Sequence, residues 1–272
     1  MAPWGMGGRC RRRPVPRELA TSALVLRTRP YGESDRIVTL ITEQHGKVTG
    51  IAKGAKNSRR RFAGSLEPFV LIRAVFRQRT TSDLVFLLRC ELEGTLRAFT
   101  RDLDCFAVGS YVLELTDRMV FGRESGHEVY RLALDALTLL DAGAPADPVL
   151  RAFELHLLAA SGYAPALDRC RACGRAADGE DPRYLALERG GLVCRRCVRA
   201  GEPVRPVAAA TARELGRLAR SPLADAAART DAAILREAAA VTEHLVAAVT
   251  SGPVHSLGLL GRTRVDSPER VR

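Results

Sequence analysis

An α+β protein with its strands gathered at the N-terminus is what this 272-residue sequence predicts. Three observations predict it. Short runs rich in Val, Ile, Leu and Thr, separated by turn residues, fill residues 22–98. From about residue 102 apolar residues recur at helical spacing instead. Two Cys-x-x-Cys pairs then interrupt the helical stretch.

Residues 1–21 are rich in Gly, Pro and Arg and show no periodicity. They are expected to be a disordered extension or the product of an over-called start codon, and no function is placed there. Five strands follow, at Ser22–Thr28, Arg36–Thr42, Val48–Ala52, Pro68–Arg77 and Leu84–Leu92. Turn signals separate them at Pro30-Tyr31-Gly32, Gln44-His45-Gly46 and Thr80-Thr81-Ser82-Asp83. Five short strands with such turns suit a small closed barrel, and the Greek-key OB-fold is the natural candidate over residues 22–98. An SH3-like barrel competes with it, because periodicity does not order strands.

Residues 99–250 are expected to form a mostly helical domain. Asp102–Val120, Glu128–Leu140 and Pro148–Ala160 carry Leu, Val and Phe at helical spacing, and Ala208–Arg220 and Ala228–Val249 are Ala-rich helices. These stripes read as bundle core, and none needs a cofactor. The tail, residues 251–272, is expected to be frayed or disordered.

Hydrophobic residues make up 46% and charged residues 27%, as in an ordinary globular chain. No apolar run approaches the roughly 20 residues of a membrane span, and no apolar stretch follows the basic N-terminus as a secretory signal requires. The net charge is +11, and its placement says more than its size. Residues 1–21 carry +4, residues 22–98 carry +7, and residues 99–272 balance to zero. An excess confined to one segment suits a surface built for a polyanion such as nucleic acid, although a solvated basic face would look the same.

Seven cysteines with no export signal argue for a reducing compartment, hence a cytoplasmic protein. Four of them form the knuckles Cys170-Arg171-Ala172-Cys173 and Cys194-Arg195-Arg196-Cys197. Two intervening residues let one tight turn aim both thiolates at a single ion. Two such turns fill a tetrahedral Zn²⁺ site, so residues 166–200 read as a four-cysteine module holding one structural ion. Four thiolates leave no open position for a catalytic water. Gly174 falls where the first knuckle turn needs positive φ, and Pro182–Leu187 with Gly190–Val193 can supply a hairpin. Arg169, Arg171, Arg175, Arg195, Arg196 and Arg199 flank the knuckles. They either meet phosphate or balance the charge of the thiolate-bound ion.

The basic loop Lys53-Gly54-Ala55-Lys56-Asn57-Ser58-Arg59-Arg60-Arg61 packs five cations into nine residues, with Lys47 close by in sequence. Loops of OB-folds frame an oligonucleotide groove, and arginine grips phosphate bidentately. Lys47, Lys53, Lys56, Arg59, Arg60 and Arg61 are therefore candidate nucleic-acid contacts. Barrel aromatics are few (Tyr31, Phe62, Phe69, Phe76 and Phe86), and several must be core. That scarcity favours reading of the phosphate backbone over stacking on every base. No phosphate-binding glycine loop, nucleophile elbow or His-Glu-x-x-His occurs, and the histidines stand singly, so no enzyme is expected.

With these parts in this order, the chain resembles the bacterial recombination mediators of the RecO family. The likeness rests on Leu26-Arg27-Thr28, Tyr31-Gly32-Glu33-Ser34-Asp35-Arg36-Ile37-Val38-Thr39-Leu40, His45-Gly46-Lys47, Ala52-Lys53-Gly54-Ala55, Leu66-Glu67-Pro68-Phe69, and Gly162-Tyr163-x-Pro165 leading into Cys170-x-x-Cys173-Gly174. It spans residues 22 to about 250 and adds Arg36 to the candidate DNA contacts. The resemblance implies an OB-fold, bound zinc, and binding of single- and double-stranded DNA. It further implies annealing of complementary strands and, with RecR, loading of RecA onto single strands coated by single-stranded DNA-binding protein. The C-terminal tail of that protein is expected on the helical domain, with Arg118, Arg123 and Arg131 as candidate rim cations. A nucleoid-associated location follows. An RNA-binding zinc-ribbon factor of the translation machinery would also fit a basic barrel with four cysteines, and so would an adaptor acting mainly through its helices.

Overall fold

The computed structural model describes residues 18–78, 84–120, 126–177, 179–227 and 230–266, the last six by backbone alone. Strands β1 (Glu18–Tyr31), β2 (Asp35–Thr42), β3 (Gly46–Ala52), β4 (Val70–Arg77) and β5 (Leu84–Thr95) close into a barrel of order β1-β2-β3-β5-β4. All pairs are antiparallel except β3 with β5, where Thr49–Ala52 run parallel to Leu84–Leu87. That order is the OB-fold and removes the SH3-like alternative. The turn expected at Thr80–Asp83 lies outside the described residues.

The unbroken run Ala23-Leu24-Val25-Leu26 has a two-faced explanation. Side chains alternate across a strand. Ala23 and Val25 fill the barrel with Val38, Leu40, Ile72 and Phe76. Leu24 and Leu26 face the other way, into the helical core beside Ile41. Each buried leucine contributes about 1.5–3 kcal/mol, so the barrel wall is also the floor of the second domain.

Helices α1 (Leu103–Met119), α2 (Gly126–Asp141), α3 (Ala146–Ala160), α4 (Ala209–Leu218) and α5 (Ala232–Val249) pack around that core. Asp102 caps α1 by accepting from the Cys105 amide at 2.8 Å. Asp231 caps α5 by accepting from Ala233, so α5 starts later than the expected Ala228. Between α3 and α4 lies a small sheet of order β7-β6-β8, made of β6 (Arg183–Ala186), β7 (Gly191–Cys194) and an unanticipated third strand, β8 (Arg205–Val207).

The Leu66-Glu67-Pro68-Phe69 motif serves the junction of the two domains. Phe69 is buried at φ +64°, a left-handed conformation costing about 1–3 kcal/mol for such a residue. Its ring stacks on Phe99 at 4.7 Å and meets Phe106 edge-on at 5.7 Å. Gly109 of α1 makes room, since a Cβ there would sit 2.6 Å from both Phe69 and Phe99.

Two expectations need correction. Structure begins inside the supposed extension: Glu18–Thr21 pair with Ala74–Arg77, and Arg77 donates to Glu18 at 2.9 Å. Those four residues carry little strand signal, and a neighbouring strand supplies the missing partner. The supposed disordered tail contains a sixth helix, α6 (His255–Asp266), against α1. Glu114 accepts from the His255 amide at 3.0 Å, the Ser256 amide at 2.8 Å and the Ser256 hydroxyl at 2.6 Å. Val254 and Leu260 are buried there. A cap supplied from 141 residues away in sequence leaves no local signature.

Candidate nucleic-acid interface and metal centre

The basic loop leaves β3 at the barrel's rim, and the Tyr31–Arg36 turn between β1 and β2 holds it. Asp35 accepts from the Gly54 amide at 2.8 Å, and Gly54 itself sits at φ +65°. The Lys56 amide donates to Ser34 O at 3.0 Å, and its ammonium to Glu33 O at 2.7 Å. Arg61 closes the loop by donating to Lys53 O at 2.9 Å while lying over the Phe62 ring. Lys53 lies over Phe86, 5.7 Å from the ring centre. The motif residues therefore build a scaffold beneath the cations.

Lys53, Lys56, Arg59, Arg60 and Arg61 are all exposed. Among the described residues no carboxylate pairs with any of these side chains. Arg36 stands beside the loop but is tied to Glu67 at 2.6 Å. Lys47 stands at the other end of β3, where its ammonium lies 2.8 Å from Asp117 of α1. The fold thus groups five of the seven candidates, sets Arg36 next to them in an ion pair, and directs Lys47 to the domain junction. Asp35 positions the loop and Glu67 holds Arg36; both stand in the motifs that carry the family likeness, but as acidic residues in a basic patch they give no sign of these roles. Of the barrel aromatics, Phe62, Phe69 and Phe76 are buried, Phe86 is half-buried and Tyr31 is exposed.

The sulfur ligands of Cys170, Cys173, Cys194 and Cys197 all lie within 4.8 Å of one another. Cys173 and Cys194 Sγ are 3.9 Å apart, too far for a disulfide. A tetrahedron with metal–sulfur bonds of about 2.3 Å has sulfur–sulfur edges of about 3.8 Å, so the cage has the dimension such an ion needs. Gly174 has φ +73° at the knuckle turn. Burial alone would raise the Cys170 thiol, but amides of Cys173, Cys194 and Ala172 outweigh it and bring it to about 6. Hydrogen bonding to the Cys194 and Cys173 sulfurs pushes Cys197 up to about 12. Thiols so close cannot all ionise unaided, and a cation at the centre removes the conflict. By contrast, burial raises the lone Cys90 thiol to about 12, which makes it inert.

The family model described as Recombination protein O N terminal matches residues 17–96, and that described as Recombination protein O C terminal matches residues 100–258. The chain belongs to the RecO family. It is 42% identical over 206 residues to the DNA repair protein RecO of Anaeromyxobacter sp. (strain K), covering 76% of this chain and 81% of that one. It is 43% identical to that of Myxococcus xanthus (strain DK1622) over 204 residues, 74% and 82% of the two chains. With that of Geobacter metallireducens the identity is 36% over 248 residues, 90% and 98% of the two chains.

As a RecO family member the chain has a role in DNA repair and recombination, and its four cysteines could hold a metal ion. No helix among the described residues is long and apolar enough to cross a membrane. Of the rim candidates, Arg118 lines a groove of about 470 Å³ with Leu26, Arg27, Phe106 and Leu113. Arg131 reaches Glu43 at 3.8 Å instead, and Arg123 lies outside the described residues.

Proposed function

We propose that this RecO family chain binds single- and double-stranded DNA, anneals complementary strands, and with RecR helps load RecA onto strands coated by single-stranded DNA-binding protein. The exposed loop cations carry the reading: five cations on a fixed scaffold, unpaired with carboxylates among the described residues, lower the phosphate repulsion that keeps two strands apart. Few barrel rings reach the surface, so base edges stay free to pair. Pairing supplies its own free energy, and the reading needs no catalytic residue and no nucleotide. The setting is the cytoplasm, at the nucleoid.

One Zn²⁺ held by Cys170, Cys173, Cys194 and Cys197 stabilises the module and leaves the chemistry to the DNA. The tail of the single-stranded DNA-binding protein, acidic and apolar, fits the groove of Leu26, Phe106 and Leu113 with Arg27 and Arg118 at its rim. Both rim arginines also pair inside the protein, Arg27 with Asp117 and Arg118 with Glu114, while Lys47 and the α6 amides share those carboxylates, so a tail carboxylate would share the arginines with them.

The test is annealing of complementary oligonucleotides without ATP, with and without tail peptide. Faster duplex formation than in buffer is expected, with weaker peptide binding by Phe106→Ala. No acceleration at low salt overturns the reading.

A further inference from the structure

The Gly162-Tyr163-x-Pro165 motif has a backbone role that leaves its ring unexplained. Gly162, at φ +85°, ends α3 with its amide bonded to Ala159 O, and the Tyr163 amide donates to Leu158 O at 2.8 Å. Stopping a helix needs no aromatic side chain, yet the Tyr163 ring is half exposed. It lines a groove of about 390 Å³ together with Pro165, Arg171, Leu187, Leu245 and Val249. That volume lies within the range of small-ligand pockets, about 300–1,000 Å³.

Arg171 belongs to this groove and to the first knuckle at once. Its amide donates to Leu192 O at 2.8 Å, which fixes the backbone and leaves the side chain exposed. Arg175, Arg195, Arg196 and Arg199 are exposed around the same four sulfurs. Among the described residues none of these five guanidiniums pairs with a carboxylate. The nearby cations Arg169 and Arg189 are neutralised by Asp168 and Glu202. Five arginines outnumber the two negative charges of a thiolate-held divalent ion together with Glu188, the one carboxylate among the described residues that line the groove. Charge balance for the ion alone therefore leaves cations over.

We propose that the cysteine module carries a second single-strand DNA site, in which Tyr163 stacks a base and Arg171 with its neighbouring arginines holds the adjoining phosphates. An aromatic face beside a cation cluster is the usual pattern for gripping single strands. The site rests on the DNA-binding reading and deepens it: a chain that pairs two strands needs somewhere for each, and the barrel loop and the module supply two places.

The experiment uses the full-length, metal-loaded protein and a thymidine oligonucleotide carrying 5-iodouracil. Irradiation is followed by peptide mapping of the cross-links. A cross-link at Tyr163 is expected, separate from any at Tyr31 or Phe86. In titrations at low salt, Tyr163→Leu and Arg171→Gln should each weaken a second binding phase about tenfold, with metal content, melting and the first phase unchanged. Cross-links confined to the barrel would overturn the second site while the DNA reading stands. No DNA binding at all would end both. Variants that weaken binding of purified RecR and leave both DNA phases intact would make the groove a protein site and overturn the proposal.

Discussion

Lys47 of the barrel and Asp117 of α1 meet at 2.8 Å across 70 residues of chain. Arg27 reaches the same carboxylate at 3.3 Å. Beside them the two domains touch backbone to backbone, because a Cβ on Gly126 would fall 2.1 Å from the Gly46 Cα. Barrel and helices are thus held in one fixed relation.

Lys47→Met should therefore act on stability. It removes a half-buried ion pair and should cost about 1 kcal/mol, leaving the salt dependence of DNA binding unchanged. Gly126→Ala should cost more, about 1–3 kcal/mol, since packed backbone must separate. Thermal melting and salt titration of the same preparations check both.

The loop should behave in the opposite way. Changing Arg59, Arg60 and Arg61 together to Ala should lower the melting temperature only slightly, through the lost Arg61 contacts to Lys53 O and Phe62, and weaken DNA binding. The slope of log affinity against log salt should fall by up to about 0.7–0.9 per lost phosphate contact. An unaltered slope in the triple variant removes the loop from the interface.

Removing the ion should unfold the module first. Cys170→Ser, or a strong chelator, should release one metal ion per chain, lower the melting temperature and leave the barrel's own DNA-binding phase unchanged. Metal analysis alongside calorimetry checks this, and normal melting in a metal-free variant would contradict it.

Acid should loosen α6. Burial tends to raise the Glu114 carboxyl, but the Ser256 hydroxyl and amide, the His255 amide and Arg118 together hold it below its ordinary value of 4.5. A carboxyl depressed on folding contributes stability above its unfolded pKa and loses it as pH falls through the folded one. Below about pH 4.5 the His255 and Ser256 amides should therefore exchange faster. Glu114→Gln should show fast exchange already at neutral pH, with little further change on acidification.

Much of this protein is written locally. Runs rich in Val, Ile, Leu and Thr, bounded by Gly and Pro, set the barrel strands, as Asp35–Thr42 and Val70–Arg77 show. The metal donor set is equally local, because two residues between cysteines define one turn and one turn aims two sulfurs. The loop cations needed only their own neighbours to be recognised as a loop.

Tertiary structure decided the rest, wherever a residue's role depends on a partner far along the chain. Strand order came from closure, since hydrogen bonding between β3 and β5 leaves no trace in either strand's pattern. Glu18–Thr21 needed β4 to become a strand, and α6 needed Glu114 to begin. Lys47 reads like Lys53 in the sequence, yet one meets a carboxylate on α1 and the other faces outward over an aromatic ring. Identical charge becomes binding surface or structural clamp according to what the fold sets opposite it.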